Sequence, residues 1–429
     1  ALFIEQGVSL IVANLAVLKA GKIVLRLAPS APQARTAHLL GDSQASLILS
    51  DLKNRSMARE WAKDGRHLII VDELDSNLPD SNVGISVPPD AYAYINYTSG
   101  STGQAKRTVK THRYQLHVIM GFTNLWHVCP DDRLAVYGSG SIEKHFLNAL
   151  LNGATQCPID VDEKGLHHLA DWLIQEEITI FSSLPTAFRH FVSTLPDQES
   201  FPRLRLIRLG GEPLHRADIE LYKKHFSSEC LLINTYSSTE TGAICNYFMD
   251  KNSKLAASRV PVGYPVEGIE VLVLDDLGNK SAFNQPGEIV VRSRFLSSRD
   301  WQKKATTREN FLSTPDESEE QEYHTGDLGQ MSEDGCLEHL GRKDSMVKIR
   351  SFRVDIAEVE ATLKDHPGVQ EAAVAAKENQ TGNTLLVGYI VPRSHPPPTV
   401  SSLRTFLNKR LPDYMVPVAE CYRCHTDIE

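Results

Sequence analysis

Serine, threonine and glycine fill six consecutive positions of this 429-residue chain, and a lysine follows shortly after them. The six positions and the lysine are Thr98, Ser99, Gly100, Ser101, Thr102, Gly103 and Lys106. Glycine backbone lets N–H groups turn towards phosphate oxygens, the hydroxyls add donors, and the lysine adds positive charge. The stretch predicts a phosphate-holding loop, and a solvated loop rich in serine and glycine is the alternative.

A P-loop NTPase does not fit this loop. That class requires lysine directly after the last glycine of GxxxxGK[ST], whereas Gly103 is followed here by Gln104 and Ala105. The phosphate chemistry must therefore be of another kind, which the rest of the chain has to indicate.

The elements that must position the loop alternate between strand-like and helical patterns. The strand-length apolar runs and the helical patterns after them occupy 91–98 and 112–128, 134–139 and 143–153, and 179–183 and 185–195. This alternation predicts an α/β fold with mainly parallel strands, in which loops at the strand ends hold ligands. Short strands and turns prevail after about residue 260, and a small α+β unit is predicted beyond residue 342. We expect one domain at 1–342 and a second at 343–429.

The composition and charge of the chain bear on its partners and its location. A formal net charge of −9 without a basic block disfavours nucleic acid as the main partner, and no apolar run approaches a membrane span. The seven cysteines are scattered, apart from Cys421 and Cys424. Their uneven number predicts reduced thiols and a cytoplasmic location. CYRCH at 421–425 matches the haem-attachment pattern CxxCH, but two free thiols are the preferred interpretation.

Seven motifs in order resemble those of the adenylate-forming superfamily, and the last three resemble its nonribosomal peptide synthetase adenylation domains most. The motifs are LAVLKAGK (15–22), YTSGSTGQAK (97–106), LLNGA (150–154), NTYSSTETG (234–242), YHTGDLG (323–329), GRKDSMVKIRSFRVDIAEVE (341–360) and LPDYMVP (411–417). The resemblance implies a large N-terminal domain with mainly parallel sheets and helices plus a small β-barrel-like part, followed by a small α+β C-terminal domain.

The resemblance also implies a reaction. ATP and a carboxylic or amino acid would give an acyl-adenylate and pyrophosphate, and a phosphopantetheine thiol would then take the acyl group. The implied cofactors are ATP and Mg²⁺. The implied partners are a small acid and a carrier protein or domain, in trans or in the parent chain, without nucleic acid or membrane.

Roles follow for the positions that match the motifs. The residues expected to hold ATP or AMP are Thr98, Ser99, Gly100, Ser101, Thr102, Gly103, Asn234, Tyr236, Asp327 and Arg342. The expected catalytic residues are Lys106, Thr239, Glu240 and Arg342. Glu240 would hold Mg²⁺, which prefers hard oxygen ligands, and Asp327 would accept hydrogen bonds from ribose hydroxyls. Tyr236 would stack on adenine with Asn234 at its amino edge, and Asp344 falls at the hinge between the domains.

The sequence departs from the family pattern at several positions. Ala105 and Arg107 replace proline and glycine of the loop, and Ser237 and Ser238 replace glycine and proline before the threonine of NTYSSTETG. Ser351 replaces a glycine near the expected path of the carrier arm. After LPDYMVP the family's NGKxDR segment, with its catalytic lysine, does not follow. The start also falls inside the family's N-terminal part, so we expect a fragment of a larger synthetase, or a truncated or frame-disrupted product.

The resemblance implies a set of positions for the acid pocket, of which Gly140 is placed by ungapped counting back from LLNGA. They are Gly140, Ser141, Lys144, Ser182, Arg208, Gly210, Thr235, Ala243 and Ile244. Gly140 falls where amino-acid-activating members carry an aspartate for the substrate's ammonium. We expect a substrate without an α-ammonium, with Lys144 or Arg208 favouring a second acidic group; a shifted alignment that uses Glu143 is the alternative.

Two other functions stay open at this point. A free-standing acyl-CoA synthetase would share most of these motifs. A truncated, non-catalytic nucleotide-binding remnant would bind ATP without releasing pyrophosphate.

Overall fold

The computed structural model of the chain describes residues 1–98, 106–137, 142–159, 168–196, 201–255, 260–297, 311–313, 320–343, 346–349, 352–379, 383–393 and 396–422. Contacts divide the chain into two compact units. Unit 1 comprises 1–87, 93–107 and 345–429, and unit 2 comprises 88–92 and 108–344. The sequence-based division at residue 342 stays a prediction.

Helices and strands alternate along the described chain. The helices are α1 (Val8–Lys19), α2 (Gln33–Ser43), α3 (Arg55–Ala62), α4 (His112–Trp126), α5 (Ile142–Leu151), α6 (Leu169–Gln175), α7 (Pro185–Ser193), α8 (Arg216–His225), α9 (Ile356–Lys364) and α10 (Val400–Asn408). None of these helices is long and apolar enough to cross a membrane.

Short strands make up most of the remaining regular structure. The strands of the first half are β1 (Leu2–Phe3), β2 (Val24–Leu25), β3 (Leu47–Ser50), β4 (His67–Ile70), β5 (Tyr92–Thr98), β6 (Lys106–Thr111), β7 (Arg133–Tyr137), β8 (Thr155–Cys157), β9 (Ile180–Ser183), β10 (Leu206–Gly210), β11 (Leu231–Ser238) and β12 (Gly242–Met249). Those of the second half are β13 (Tyr264–Pro265), β14 (Glu270–Leu274), β15 (Gly287–Ser293), β16 (Phe311–Ser313), β17 (Gln321–Met331), β18 (Leu337–Arg342), β19 (Met346–Ile349), β20 (Phe352–Asp355), β21 (Val369–Glu378), β22 (Thr384–Pro392) and β23 (Ala419–Tyr422).

A seven-stranded sheet forms the centre of unit 2, in the order β13-β12-β11-β10-β9-β7-β8. The five strands from β8 to β11 are parallel, and β12 and β13 add antiparallel pairs. Neighbouring residues of one strand pack into different clusters, as Ile180 and Phe181 do on β9. Both faces are therefore covered, which explains why residues of both faces are buried on these strands. The predicted α/β class with mainly parallel strands is confirmed.

A second sheet of unit 2 is antiparallel. Its order is β14-β15-β17-β16, and β18 pairs with β17. The sequence predicts the β17–β18 hairpin, whose turn contains Gly335 at φ +85°. Inward-facing Val271, Val273 and Ile289 pack with Tyr236 of the larger sheet. This packing places β17 and β18 beside the end of β11, which positions the site described below.

Unit 1 contains smaller sheets. β1, β3 and β4 are parallel, and β2 is parallel to β5. Near the C-terminus β19 and β20 form a hairpin, and β21, β22 and β23 form a sheet. Residues of α9, α10, β21 and β22 share one apolar cluster that includes Val359 and Leu403. This part of the chain has the expected α+β character.

Gly263 tests how closely the segment before β13 packs against β12. It has φ +87°, and a Cβ there would lie 2.1 Å from the carbonyl oxygen of Asn246. We expect Gly263→Ala to destabilise the protein by about 3 kcal/mol or more, since strain from the left-handed backbone and from overpacking add. Gly278 has φ +81° with open space, so Gly278→Ala should cost only about 1–2 kcal/mol. Equal losses of unfolding free energy in urea would contradict the packing argument.

Candidate functional site

The two ends of the predicted phosphate loop are positioned by strands. β5 ends at Thr98 and β6 begins at Lys106. The loop residues Ser99, Gly100, Ser101, Thr102 and Gly103 lie outside the described residues. Their predicted contacts with phosphate therefore stay predictions.

Asp42 of α2 binds the residues next to both ends of this loop. The Tyr97 hydroxyl donates to Asp42 Oδ2 at 2.6 Å, and Arg107 Nη1 donates to the Asp42 carbonyl at 3.1 Å. Arg107 Nε also lies 3.3 Å from Asp42 Oδ2. Burial, followed by the Asp42 carboxylate, raises the pKa of Tyr97 above its usual range, so the phenol stays a donor. Arg107, where the family has glycine, thus helps to fix the loop end.

A tight turn carries the next predicted residues. Thr239 and Glu240 lie between β11 and β12. The Ser238 hydroxyl accepts from the Thr241 amide at 3.1 Å and lies 2.9 Å from the Thr241 hydroxyl. The Tyr114 hydroxyl donates to the Thr239 carbonyl at 3.3 Å. Ser238, where the family has proline, therefore builds the turn that presents Thr239 and Glu240.

The buried carboxylate of Asp327 joins this residue to two other predicted nucleotide residues, Tyr236 and Arg342. Asp327 of β17 is paired in register with Arg342 of β18, and Arg342 Nη1 donates to Asp327 Oδ1 at 2.6 Å. The Tyr236 hydroxyl donates to Asp327 Oδ2, and Arg342 also donates to the Thr325 carbonyl at 3.0 Å. The structure therefore brings Tyr236, Asp327 and Arg342 into one hydrogen-bonded cluster. Asn234 lies two residues before Tyr236 and donates to the Pro261 carbonyl at 2.8 Å.

Four predicted pocket residues share one face of the seven-stranded sheet. Ser182 of β9 is opposite Arg208 of β10, and Gly210 is opposite Thr235 of β11. All four are buried. Ala243 packs in the apolar cluster of the same face, with Val118 and Phe122 of α4. These residues lie on the sheet face that α4 covers.

Other predicted residues are not brought together in this way. Gly140, Ser141 and Asp344 lie outside the described residues, and Lys144 lies in α5. Ile244 packs with Tyr236 in the cluster of the antiparallel sheet, whereas its neighbour Ala243 belongs to the pocket side. The roles predicted for these residues stay predictions.

Two residues of the site were missed by sequence reasoning. Asn246 accepts from the Thr235 hydroxyl at 2.7 Å, and His339 Nε2 lies 3.6 Å from Asp327 Oδ2. Asn246 is out of step with Ala243, because the neighbours Ile244 and Cys245 both pack in the other cluster, so no fixed count along the strand indicated it. His339 lies on the same strand as the predicted residue Arg342 and three residues before it, and this closeness in sequence was the signal for His339.

The donor set at the turn suits a magnesium ion only in part. No group of three or more histidine, cysteine, aspartate or glutamate side chains able to hold a metal occurs among the described residues. Mg²⁺ bound with a nucleotide commonly uses one or two carboxylates together with phosphate oxygens and water. The single carboxylate of Glu240 at the turn fits that mode, in which phosphate supplies the other ligands.

Comparisons with known proteins agree with this geometry. The family model "AMP-binding enzyme" matches residues 1–299, and "AMP-binding enzyme C-terminal domain" matches 358–427. A linear gramicidin synthase of Brevibacillus parabrevis is 31% identical over 422 residues, which cover 96% of this chain and 8% of the relative. The chain thus spans a small part of the curated relatives it matches.

Solved structures share the fold. An artificially fused adenylation–PCP di-domain NRPS from Klebsiella oxytoca matches with a TM-score of 0.81 and 21% identity, covering 98% of this chain and 82% of that one. An o-succinylbenzoate CoA synthetase double mutant from Bacillus subtilis matches with a TM-score of 0.81 and 22% identity, covering 98% and 84%. The chain belongs to the AMP-binding enzyme family and is an adenylate-forming ligase close to nonribosomal peptide synthetase adenylation domains.

Removing the charge of Asp327 should unfold the cluster. Asp327→Asn leaves the Arg342 guanidinium, whose side chain is 10% exposed, without its ion pair. We expect a loss of about 3–5 kcal/mol of unfolding free energy, as for other broken buried pairs. The control is Asp276→Asn, which removes the exposed pair with Lys343 and should cost less than about 1 kcal/mol. Equal losses in chemical denaturation would contradict the importance of burial.

The Asp42 contacts predict an effect on nucleotide affinity. Asp42→Asn weakens the bonds to Tyr97 and Arg107, so the loop should bind phosphate less well. We expect KM for ATP to rise about 10-fold, in line with loss of one charge-assisted hydrogen bond, with little change in KM for the acid. Asp64, which pairs with Arg66 at the surface, provides the control variant Asp64→Asn. A KM for ATP that stays unchanged would show that Asp42 does not position the loop.

Proposed function

We propose that this chain activates a carboxylic acid with ATP as an acyl-adenylate, releases pyrophosphate, and passes the acyl group to the phosphopantetheine thiol of a carrier protein. The observation that carries the proposal is the cluster of Tyr236, Asp327 and Arg342 beside the turn of Thr239 and Glu240. Family membership and the similarity to a gramicidin synthase support it.

The reaction sets a problem of charge. The acid's carboxylate oxygen forms a bond to the α-phosphorus while the bond from that phosphorus to the leaving pyrophosphate oxygen breaks. Both partners are anionic, so the protein must neutralise charge and hold them in line. Lys106 and the loop donors are proposed to bind the β- and γ-phosphates. Glu240 is proposed to hold Mg²⁺, which supplies positive charge to the phosphate oxygens when bound.

The nucleoside half of ATP needs a different environment. A carboxylate with two oxygens can accept hydrogen bonds from two ribose hydroxyls, and Asp327 is proposed for this role. The Arg342 ion pair holds that carboxylate in place. Tyr236 is proposed to lie against adenine, with its hydroxyl still bonded to Asp327.

The proposed substrate is an acid without an α-ammonium group. Gly140 occupies the position at which an ammonium-binding carboxylate is expected, and a buried ammonium without a carboxylate would be costly. The proposed domain organisation has a core at 1–342 and a second domain at 343–429, with Asp344 at the hinge. Free-standing acyl-CoA ligation is the second candidate, because a CoA synthetase shares the fold.

ATP–pyrophosphate exchange tests the proposal directly. Each amino acid is compared with its hydroxy, keto and deamino relatives, and aryl and fatty acids are added. Exchange driven by amine-free acids is expected; exchange with amino acids alone would overturn the substrate class. No exchange, despite ATP binding, would favour the non-catalytic alternative. Acyl transfer to a holo-carrier but not to coenzyme A would separate the two transfer candidates.

Glu240→Gln should lower the exchange rate about 100-fold or more, because the ligand proposed for Mg²⁺ loses its charge. Raising the Mg²⁺ concentration should recover part of the loss. The exposed Glu333 of the β17–β18 turn gives a matched control, and Glu333→Gln should leave exchange unchanged. A Glu240→Gln variant with the wild-type rate and Mg²⁺ dependence would remove Glu240 from the proposed metal site.

A further inference from the structure

Arg208 is a buried cation for which the described residues supply no counter-charge. It is 7% exposed, in the middle of the parallel sheet of unit 2. No described carboxylate lies within ion-pair distance of it, and its Nε has no hydrogen-bond partner there. Burial lowers the pKa of the guanidinium to about 10, which leaves it charged at neutral pH. An isolated buried charge is costly, so a charged partner is needed to balance it.

The guanidinium points along the sheet towards the ends of the strands. A Cβ on Gly210 would lie 2.7 Å from Arg208 Nη2 and 3.0 Å from its Cζ. The guanidinium therefore occupies the space above Gly210, which only glycine leaves free. This position is the pocket face shared with Thr235.

Two more donors on this face have no hydrogen-bond partner among the described residues. The Ser182 hydroxyl, opposite Arg208 in the sheet, is buried and has no hydrogen-bond partner among those residues. The side-chain amide nitrogen of Asn246 is likewise buried and without a partner there. Asn246 is opposite Thr235, whose hydroxyl donates to the Asn246 amide oxygen and so turns the amide group. Three donors with a positive charge and no described carboxylate make a site for an anion.

We propose that the pocket binds an acid with a second carboxylate, which Arg208 pairs with while the first carboxylate reacts. This inference rests on the proposed function. Gly210 is opposite Thr235 in the sheet. Thr235 lies before Ser238, the last residue of β11, by about 10 Å at the usual rise per residue of a strand. The proposed reaction takes place beyond that end, near Thr239, so one carboxylate cannot serve both places. A chain of several carbons between two carboxylates would span the distance.

The test compares straight-chain dicarboxylic acids of four to eight carbons with their own ω-amides, which have nearly the same shape but one charge less. Binding to the purified chain is measured by calorimetry with ATP present, and ATP–pyrophosphate exchange is measured in parallel. At least one diacid should bind about 10- to 100-fold more tightly than its ω-amide, as expected for a hydrogen-bonded charge pair. If no diacid exceeds its ω-amide, the inference is overturned.

Variants of Arg208 test whether this side chain causes the preference for a diacid over its ω-amide. Arg208→Met should abolish the preference for the diacid without lowering Tm in the absence of acid, because it removes a buried charge that no described carboxylate balances. Arg208→Lys should keep part of the preference, since it retains charge but loses the planar donor set. The exposed Arg216 of α8 gives the control Arg216→Met, which should behave as wild type. A diacid preference that survives in Arg208→Met overturns the assignment.

Binding and ATP–pyrophosphate exchange, measured separately, distinguish failure of this inference from failure of the proposed function. Exchange with monocarboxylic acids, together with equal binding of diacids and ω-amides, would leave the function standing and remove the role of Arg208. Selective diacid binding without exchange would keep the anion site and remove the proposed reaction. If Arg208→Met does not fold, the wild-type comparison and Arg208→Lys still decide the outcome.

Discussion

The buried ion pair of Asp327 and Arg342 is the interaction on which the candidate site depends. Its two residues lie on β17 and β18, yet its third partner, Tyr236, belongs to the larger sheet. The pair therefore fixes the antiparallel sheet against the end of β11. Because a half-removed buried pair is strongly destabilising, the geometry of the predicted nucleotide residues is coupled to the stability of unit 2.

Much of the fold was accessible from the sequence because its patterns are local. The alternation of strand-length apolar runs with helical patterns predicted mainly parallel strands, and β7 and β9 are parallel neighbours. The resemblance of NTYSSTETG implied roles for Thr239 and Glu240, and these two residues lie between β11 and β12. The β17–β18 hairpin was predicted from the segment DLGQMSEDGCLEHLG (327–341), with its turn at Glu333–Gly335. In each case the signal lay in one continuous stretch of the sequence.

Features that depend on long-range pairing were not accessible in this way. Nothing in the sequence near Arg107 indicates that its partner is Asp42, 65 residues earlier. The same holds for Tyr236 and Asp327, which are 91 residues apart. The neighbours Ile244 and Cys245 both pack in the cluster of the antiparallel sheet because of the register shift between Tyr236 and Ser237, which a fixed count along a strand cannot anticipate. Motif position gave the residue types, whereas sheet register decided which of them meet.

The arginines of unit 2 show how differently the same side chain can be used. Arg189 has its counter-charge in Asp218, a fully buried carboxylate, and Arg342 has Asp327. Both pairs are complete in the free protein and serve the fold. Arg208 is as deeply buried but has no described carboxylate beside it, so its desolvation is not balanced within the described structure. A charge of this kind raises the free energy of the unbound state, and an anionic ligand that pairs with it recovers that energy on binding. Selectivity for an anion then follows, because only a ligand of opposite charge offsets the desolvation of this guanidinium.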